Sequence, residues 1–159
     1  MDFLLMLDAK TTILGISAIV ALFAVYRNSV ISRRRATVDL VLHQRSDDKL
    51  KELDELINPI LHKNQITKFC DDAHKDSKER AAILEILNNY EFIAVGVREK
   101  AFDFNLYKRM SYGTVVRDWD CFKSFVYDLR QKNDRKTLFQ EFEWLAKKFK
   151  KNKLKADTD

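Results

Sequence analysis

Sixteen consecutive positions, Thr11 to Tyr26, carry no charge, and Ile13, Leu14, Ile16, Ile19, Val20, Leu22, Phe23 and Val25 place apolar side chains on every face of a helix. At 1.5 Å of rise per residue the run covers about 24 Å, short of a roughly 30 Å hydrocarbon slab. The flanks supply the rest: Phe3 to Leu7 before it, Val30 and Ile31 after it, with Lys10 and Arg27 long enough to send their charges toward headgroups. The pattern predicts a transmembrane helix over 11–31. A core helix of a soluble domain would be expected to show a polar face, and an interfacial helix a charged one. A cleavable leader would carry its basic residues ahead of the apolar run, whereas Arg27, Arg33, Arg34 and Arg35 follow it.

The same asymmetry predicts an orientation. Segment 1–10 holds Asp2, Asp8 and one lysine, so the positive-inside rule puts it outside and everything after the span in the cytoplasm, as a single-pass protein of the inner (plasma) membrane. Gly15, Ser17, Ala18 and Ala21 would permit close approach of a second copy. The span carries no GxxxG, so a homo-oligomer is compatible with it but not specified by it.

Beyond the span the period is helical throughout. No breaker interrupts 32–46, which reads as a juxtamembrane helix continuing the span to about Arg45. A cytosolic domain is expected over 47–150. Its first helix, capped near Ser46 to Asp48, carries Leu50, Leu53, Leu56, Ile57, Ile60 and Leu61 on one face, and Pro59 predicts a break near Asn58 with a further helical piece up to Cys70. Residues 71–76 read as a loop. Asp76 or Ser77 should cap the apolar helix 79–101, in which Gly96 implies a neighbouring helix at close range. Asp103 caps a helix that Ser111 to Gly113 could loosen, Asn133 and Asp134 make a turn, and the last helix carries Leu138, Phe139, Phe142, Leu145 and Phe149 into a basic, disordered tail at 151–159. With no convincing period-two stretch, the expected fold class is all-α: an N-terminal transmembrane helix followed by a bundle of about five or six helices.

Composition fits long helices with few turns, since 159 residues include three glycines and one proline. The net charge of +5 is unevenly placed. Residues 1–32 are neutral, Arg33 to Arg35 add +3, residues 36–146 sum to −2, and 147–159 to +4. Basic charge at the two ends of a membrane-anchored domain fits anionic headgroups, so Arg33, Arg34, Arg35, Lys147, Lys148, Lys150 and Lys151 form the expected membrane-surface set. A lysine-rich helix end that merely complements the helix dipole is the plainer alternative for the last four. Cys70 and Cys121 fit reduced, buried positions.

Glu91 is the outstanding side chain, a carboxylate on a stripe with Leu84, Leu87, Asn88 and Val95. Burial there demands a partner. Arg117, beside Trp119 on another helix, is the first choice, ahead of Arg109 and Arg98. Glu91, Arg117 and Trp119 are therefore expected to form a structural ion pair or a partner contact. Cys70 and His74 are spaced i, i+4, but His62 and Cys121 both stand alone and His43 fits a solvated position in the charged juxtamembrane helix, so no metal site is assigned. Nor does the chain carry a nucleophile elbow, a phosphate-binding glycine loop or a metalloprotease pattern, so no catalytic residue and no cofactor is assigned. The many aromatics after Phe102 fit a core.

Arg35-Ala36-Thr37-Val38-Asp39-Leu40, Asn88-Asn89-Tyr90-Glu91-Phe92-Ile93-Ala94-Val95-Gly96-Val97, Arg117-Asp118-Trp119 and Phe142-Glu143-Trp144-Leu145-Ala146, following an N-terminal span, resemble a family of uncharacterised bacterial and phage single-pass proteins with a small helical domain of unknown function. The resemblance implies an anchored helical domain and a phage-related role, and it supplies no chemistry. The expectation is a non-enzymatic protein acting by contact with an unidentified protein partner at the cytoplasmic membrane face, in phage–host interaction such as superinfection exclusion or defence. A membrane-tethered nucleic-acid-binding module is the alternative, and nucleic acid ranks behind protein and lipid as a partner.

Overall fold

In a computed structural model the described residues are 2–62 and 65–155, with side chains from Asp8 onward and that of His62 excepted. The expected apolar flank Phe3 to Leu7, the candidate donor His62 and the last four positions of the expected tail therefore lie outside the described side chains. Five α-helices, α1 (Asp2–Ser46), α2 (Asp48–His62), α3 (Lys78–Arg98), α4 (Phe104–Lys132) and α5 (Gln140–Lys151), are joined by short connections and two 3-10 turns at Ile66–Cys70 and Asp72–His74. There is no strand among the described residues. The fold is all-α, with a long apolar helix at its N-terminus.

Helix α1 is unbroken over 45 residues, a length of about 68 Å. It has two parts. From Asp8 to Ser29 every side chain is exposed, and nothing in the domain packs against the apolar run. From Val30 onward one stripe turns inward at the i, i+3, i+4, i+7 spacing: Val30, Arg33, Thr37, Leu40, Val41 and Gln44 are buried or half-buried. This stripe docks the helix on the bundle.

Asp47 accepts from the amides of Lys49 and Leu50 and so caps α2. The break expected at Pro59 does not occur, because Pro59 stands in the last turn of α2, which ends at His62. Only one intrahelical bond is lost there, and the orphaned carbonyl belongs to the exposed Glu55. The expected loosening at Ser111 to Gly113 is also absent, and α4 runs straight through. Tyr107, Val115 and Trp119 are buried on either side of it and hold the helix in place. Leu138 and Phe139 precede α5 instead of lying within it, since Phe139 adopts a left-handed conformation with φ 53°.

Helices α1, α2 and α4 run one way, with Asp54 of α2 beside Arg117 and Leu61 near Cys121, and α3 and α5 run the other. The docked part of α1 runs alongside the start of α4: Thr37 meets Asp103, and Val41, Gln44 and Arg45 share a cleft with Tyr107, Met110 and Thr114. Helix α5 returns antiparallel to α4, with Glu143 by Arg130, Phe142 against Trp119, and Phe149 against Tyr112 and Phe104. Helix α3 descends beside α5. The 3-10 turns close the far end, where Cys70 Sγ donates to the carbonyl of Phe125 and Lys132 Nζ to that of Cys70. Phe122, Phe125, Phe142, Phe149, Tyr107, Ile83, Leu87 and Leu145 fill the core between α3, α4 and α5.

Candidate functional site

Helix α5 begins without a cap of its own, since Phe139 offers no side-chain acceptor to the first amides. The carboxylate comes from α3. Glu91 Oε2 accepts from the amide of Phe142 at 2.8 Å and Oε1 from that of Glu141 at 3.2 Å. These are the orphan donors at the positive end of the helix dipole, which suit an anion. Burial raises the Glu91 carboxyl above the ordinary glutamate value, and the two amide bonds pull it part of the way back. Both oxygens are engaged by backbone, so the side chain acts as a strut between helices.

The expected pair between Glu91 and Arg117 is not made. Arg117 Nε instead donates to its neighbour Asp118 at 2.7 Å. Arg98 pairs with Glu141 at 2.7 Å and lies over the Trp144 ring, 5.2 Å from its centre. Backbone amides answer the need of a half-buried carboxylate as well as an arginine does, and the hydrogen bonds of Glu91 fix α5 against α3. Trp119 is buried and meets Phe142 edge-on at 5.2 Å, while Tyr90 stacks on the same ring at 4.3 Å. The three chosen residues thus separate: Glu91 and Trp119 both hold Phe142, and Arg117 lies elsewhere.

Arg117 belongs to a group that the sequence did not single out. The Tyr90 hydroxyl donates to Asp118 Oδ2 at 2.5 Å, and Asp118 holds Arg117 with its other oxygen. Asp54 on α2 faces them across a cleft of about 320 Å³ lined also by Ile57, Leu61, Cys121 and Phe122. Its carboxyl is raised by burial and by the charge of Asp118, against the pull of Arg117. Burial and Asp118 push the Tyr90 hydroxyl well above its ordinary value, so it remains a proton donor. The Cys121 thiol is raised as well, by burial and then by Asp118, and stays protonated near neutral pH. One half-buried hydrogen bond, Tyr90 to Asp118, joins α3 to α4 here, and the exposed Arg117 guanidinium covers Asp118 from the solvent side. The only available sequence signal was that Tyr90 falls on the buried face of α3.

Cys70 and His74 do not share a helical face, because Asp71 is extended between the two 3-10 turns that carry them. Burial lifts the Cys70 thiol to about 11, and the His74 ring lies against Phe69 at 5.0 Å. No group of three or more His, Cys, Asp or Glu side chains among the described residues is placed to hold a metal ion.

The basic set divides by partner. Lys147 pairs with Glu143, Lys150 with Asp120, and Arg34 reaches Asp103 at 3.7 Å. Lys148 lies over Phe104 and Trp144. Arg33 Nε is shut off from solvent without a hydrogen-bond partner. Arg35 and Lys151 are exposed.

Gly96 does meet a close neighbour, though not another helix. A Cβ there would fall within 2.5 Å of Phe102 Cδ2. That ring folds back as the chain leaves α3, with the amides of Ala101 and Phe102 both donating to the Gly96 carbonyl. The turn sets Asp103 beside α1, where its amide donates to Thr37 Oγ1 at 2.8 Å and its carboxylate caps α4 through Leu106.

Neither curated proteins nor solved structures give a match to this chain. Residues 11–149 match a family described as a domain of unknown function, DUF4760. The match takes in the exposed apolar run, the Thr37 latch, the Glu91 strut and the helices as far as Phe149, and the chain belongs to the DUF4760 family.

Proposed function

We propose that the protein is a non-enzymatic, single-pass inner-membrane protein with its N-terminus outside, whose helical domain works by protein–protein contact at the cytoplasmic face. The observation that carries the anchor is the apolar run of α1, none of which is buried although the rest of the chain builds a closed core. Exposed apolar surface of that size in water would be a strong liability, and a bilayer removes it. The arginines after the run favour the orientation. The contact is supported by an exposed apolar pair on the outer face of α3, Phe92 at 67% and Val95 at 42%. The resemblance to prophage-encoded proteins gives superinfection exclusion or defence as the process.

A photo-crosslinking amino acid at position 92 of the full-length protein in host membranes tests the contact. A discrete adduct seen at position 92 and absent from exposed Lys75 supports the reading. No adduct beyond the protein itself counts against it. Residence in the membrane is tested by alkaline carbonate extraction, which should leave the protein with the bilayer; release into the soluble fraction would overturn the anchor.

A further inference from the structure

The two basic clusters are more than a hundred positions apart in sequence, and the fold brings them to one end of the bundle. The link is the turn between α3 and α4. Asp103 is held by Thr37 and faces Arg34 on α1, while its neighbour Phe104 packs edge-on against Phe149 and lies under Lys148. Lys108, one turn along α4, donates to the carbonyl of Asn152 at 2.9 Å, so the chain leaving α5 is fixed at this end too. Helix α1 enters the bundle here. Thr37 is six residues past Ile31, the last apolar position of the run, a rise of about 9 Å, which is comparable with the roughly 8 to 10 Å screening length at physiological salt.

We infer that Arg35, Lys151, Lys153 and Lys155 form one composite surface that seats the domain on anionic phospholipid headgroups of the leaflet through which α1 passes. The inference rests on the anchor reading. Charge complementarity favours lipid over other occupants. Arg35, Lys151, Lys153 and Lys155 are exposed and make no salt bridge among the described residues, unlike Lys147 and Lys150, which are spent on Glu143 and Asp120. Of the nearby acids, Asp103 is engaged by the Leu106 amide and Arg34. Leu154, 43% exposed between the last two lysines, adds an apolar point suited to the headgroup zone. The anchor supplies the encounter, since every cation of the surface is tethered within reach of the same leaflet.

Lysine acylation of the full-length protein in nanodiscs, read by mass spectrometry, tests this. Discs of phosphatidylcholine alone are compared with discs containing phosphatidylglycerol. Acylation of Lys151, Lys153 and Lys155 should slow several-fold in the anionic discs and recover at high salt, while Lys75 and Lys136 at the far end react equally in both. Equal rates at all five lysines would overturn the inference and leave the anchor standing. Failure of the chain to enter discs of either kind would overturn both. Protection in neutral discs on adding duplex DNA, without protection in anionic ones, would assign the surface to nucleic acid instead.

Discussion

Glu91 on α3 holds the amide of Phe142, 51 positions away, at 2.8 Å. One carboxylate thereby starts α5 and fixes its height against α3, because α5 has no cap in its own sequence. Replacing a capping acceptor typically costs about 0.5 to 2 kcal/mol. Glu91→Ala should fall in the upper part of that range, since two amides lose their acceptor, and chemical denaturation of the full-length protein in detergent measures it. A loss below about 0.3 kcal/mol, well under that range, would mean that water serves the amides as well.

The same residue predicts a pH dependence. Its folded-state value is raised above 4.5, so the native state holds the proton more tightly than the unfolded chain. The group then contributes most below the ordinary glutamate value and loses that contribution as pH rises through the folded value. The stability of the native protein relative to Glu91→Gln should accordingly decline from pH 4 upward and level off above the folded value. A relative stability that increases over that interval would mean that the amides outweigh burial.

Thr37 joins α1 to the bundle through one buried hydroxyl, which donates to the carbonyl of Arg33 and accepts from the amide of Asp103. Thr37→Val keeps the shape and leaves the Asp103 amide without its acceptor, at a cost of about 1 to 3 kcal/mol. Thr37→Ser should restore most of it. Limited proteolysis between Arg33 and Arg45 should speed up in the valine variant alone, and equal cleavage of all three proteins would show that the latch carries no load.

Gly96 gives a prediction of sign. By helix propensity Gly96→Ala should stabilise by up to about 1 kcal/mol. The Phe102 ring occupies the site of the new methyl, and its backbone is tied to the Gly96 carbonyl, so the substitution should destabilise by about 1 to 3 kcal/mol. In a Phe102→Ala background the same change should become neutral or favourable, and thermal unfolding of the four proteins separates the two effects.

The two thiols should differ in rate. Cys70 is 5% exposed with its thiol lifted to about 11, whereas Cys121 lines an open cleft. Alkylation at pH 8 should label Cys121 well before Cys70, and Cys70 only as the protein unfolds.

Much of the fold was legible because it depends on periodicity and capping. Asp103 and Ser77 cap the helices expected of them, and the helical continuation of the span past Arg33 is present. Local signals failed where a long-range contact decides. Pro59 reads as a breaker by its ring, yet it stands three residues from the end of α2, where a single bond is at stake. Phe139 carries no mark of a helix start, since the first amides of α5, those of Glu141 and Phe142, find their acceptor in Glu91 on another helix. Arg117 looked like the partner of Glu91 because sequence shows charges and hides free amides. That α5 ends beside the start of α4, where α1 docks, depends on α4 and α5 running in opposite directions, which spacing does not reveal.

In the proposed topology α1 crosses the membrane with the bundle on the cytoplasmic side. Paired reporter fusions after Asp159 test it in cells: green fluorescent protein, which matures in the cytoplasm, and alkaline phosphatase, which is active only outside. This topology should give a bright fluorescent fusion and an inactive phosphatase at comparable expression in the membrane fraction. An active phosphatase fusion with a dark fluorescent one would contradict it.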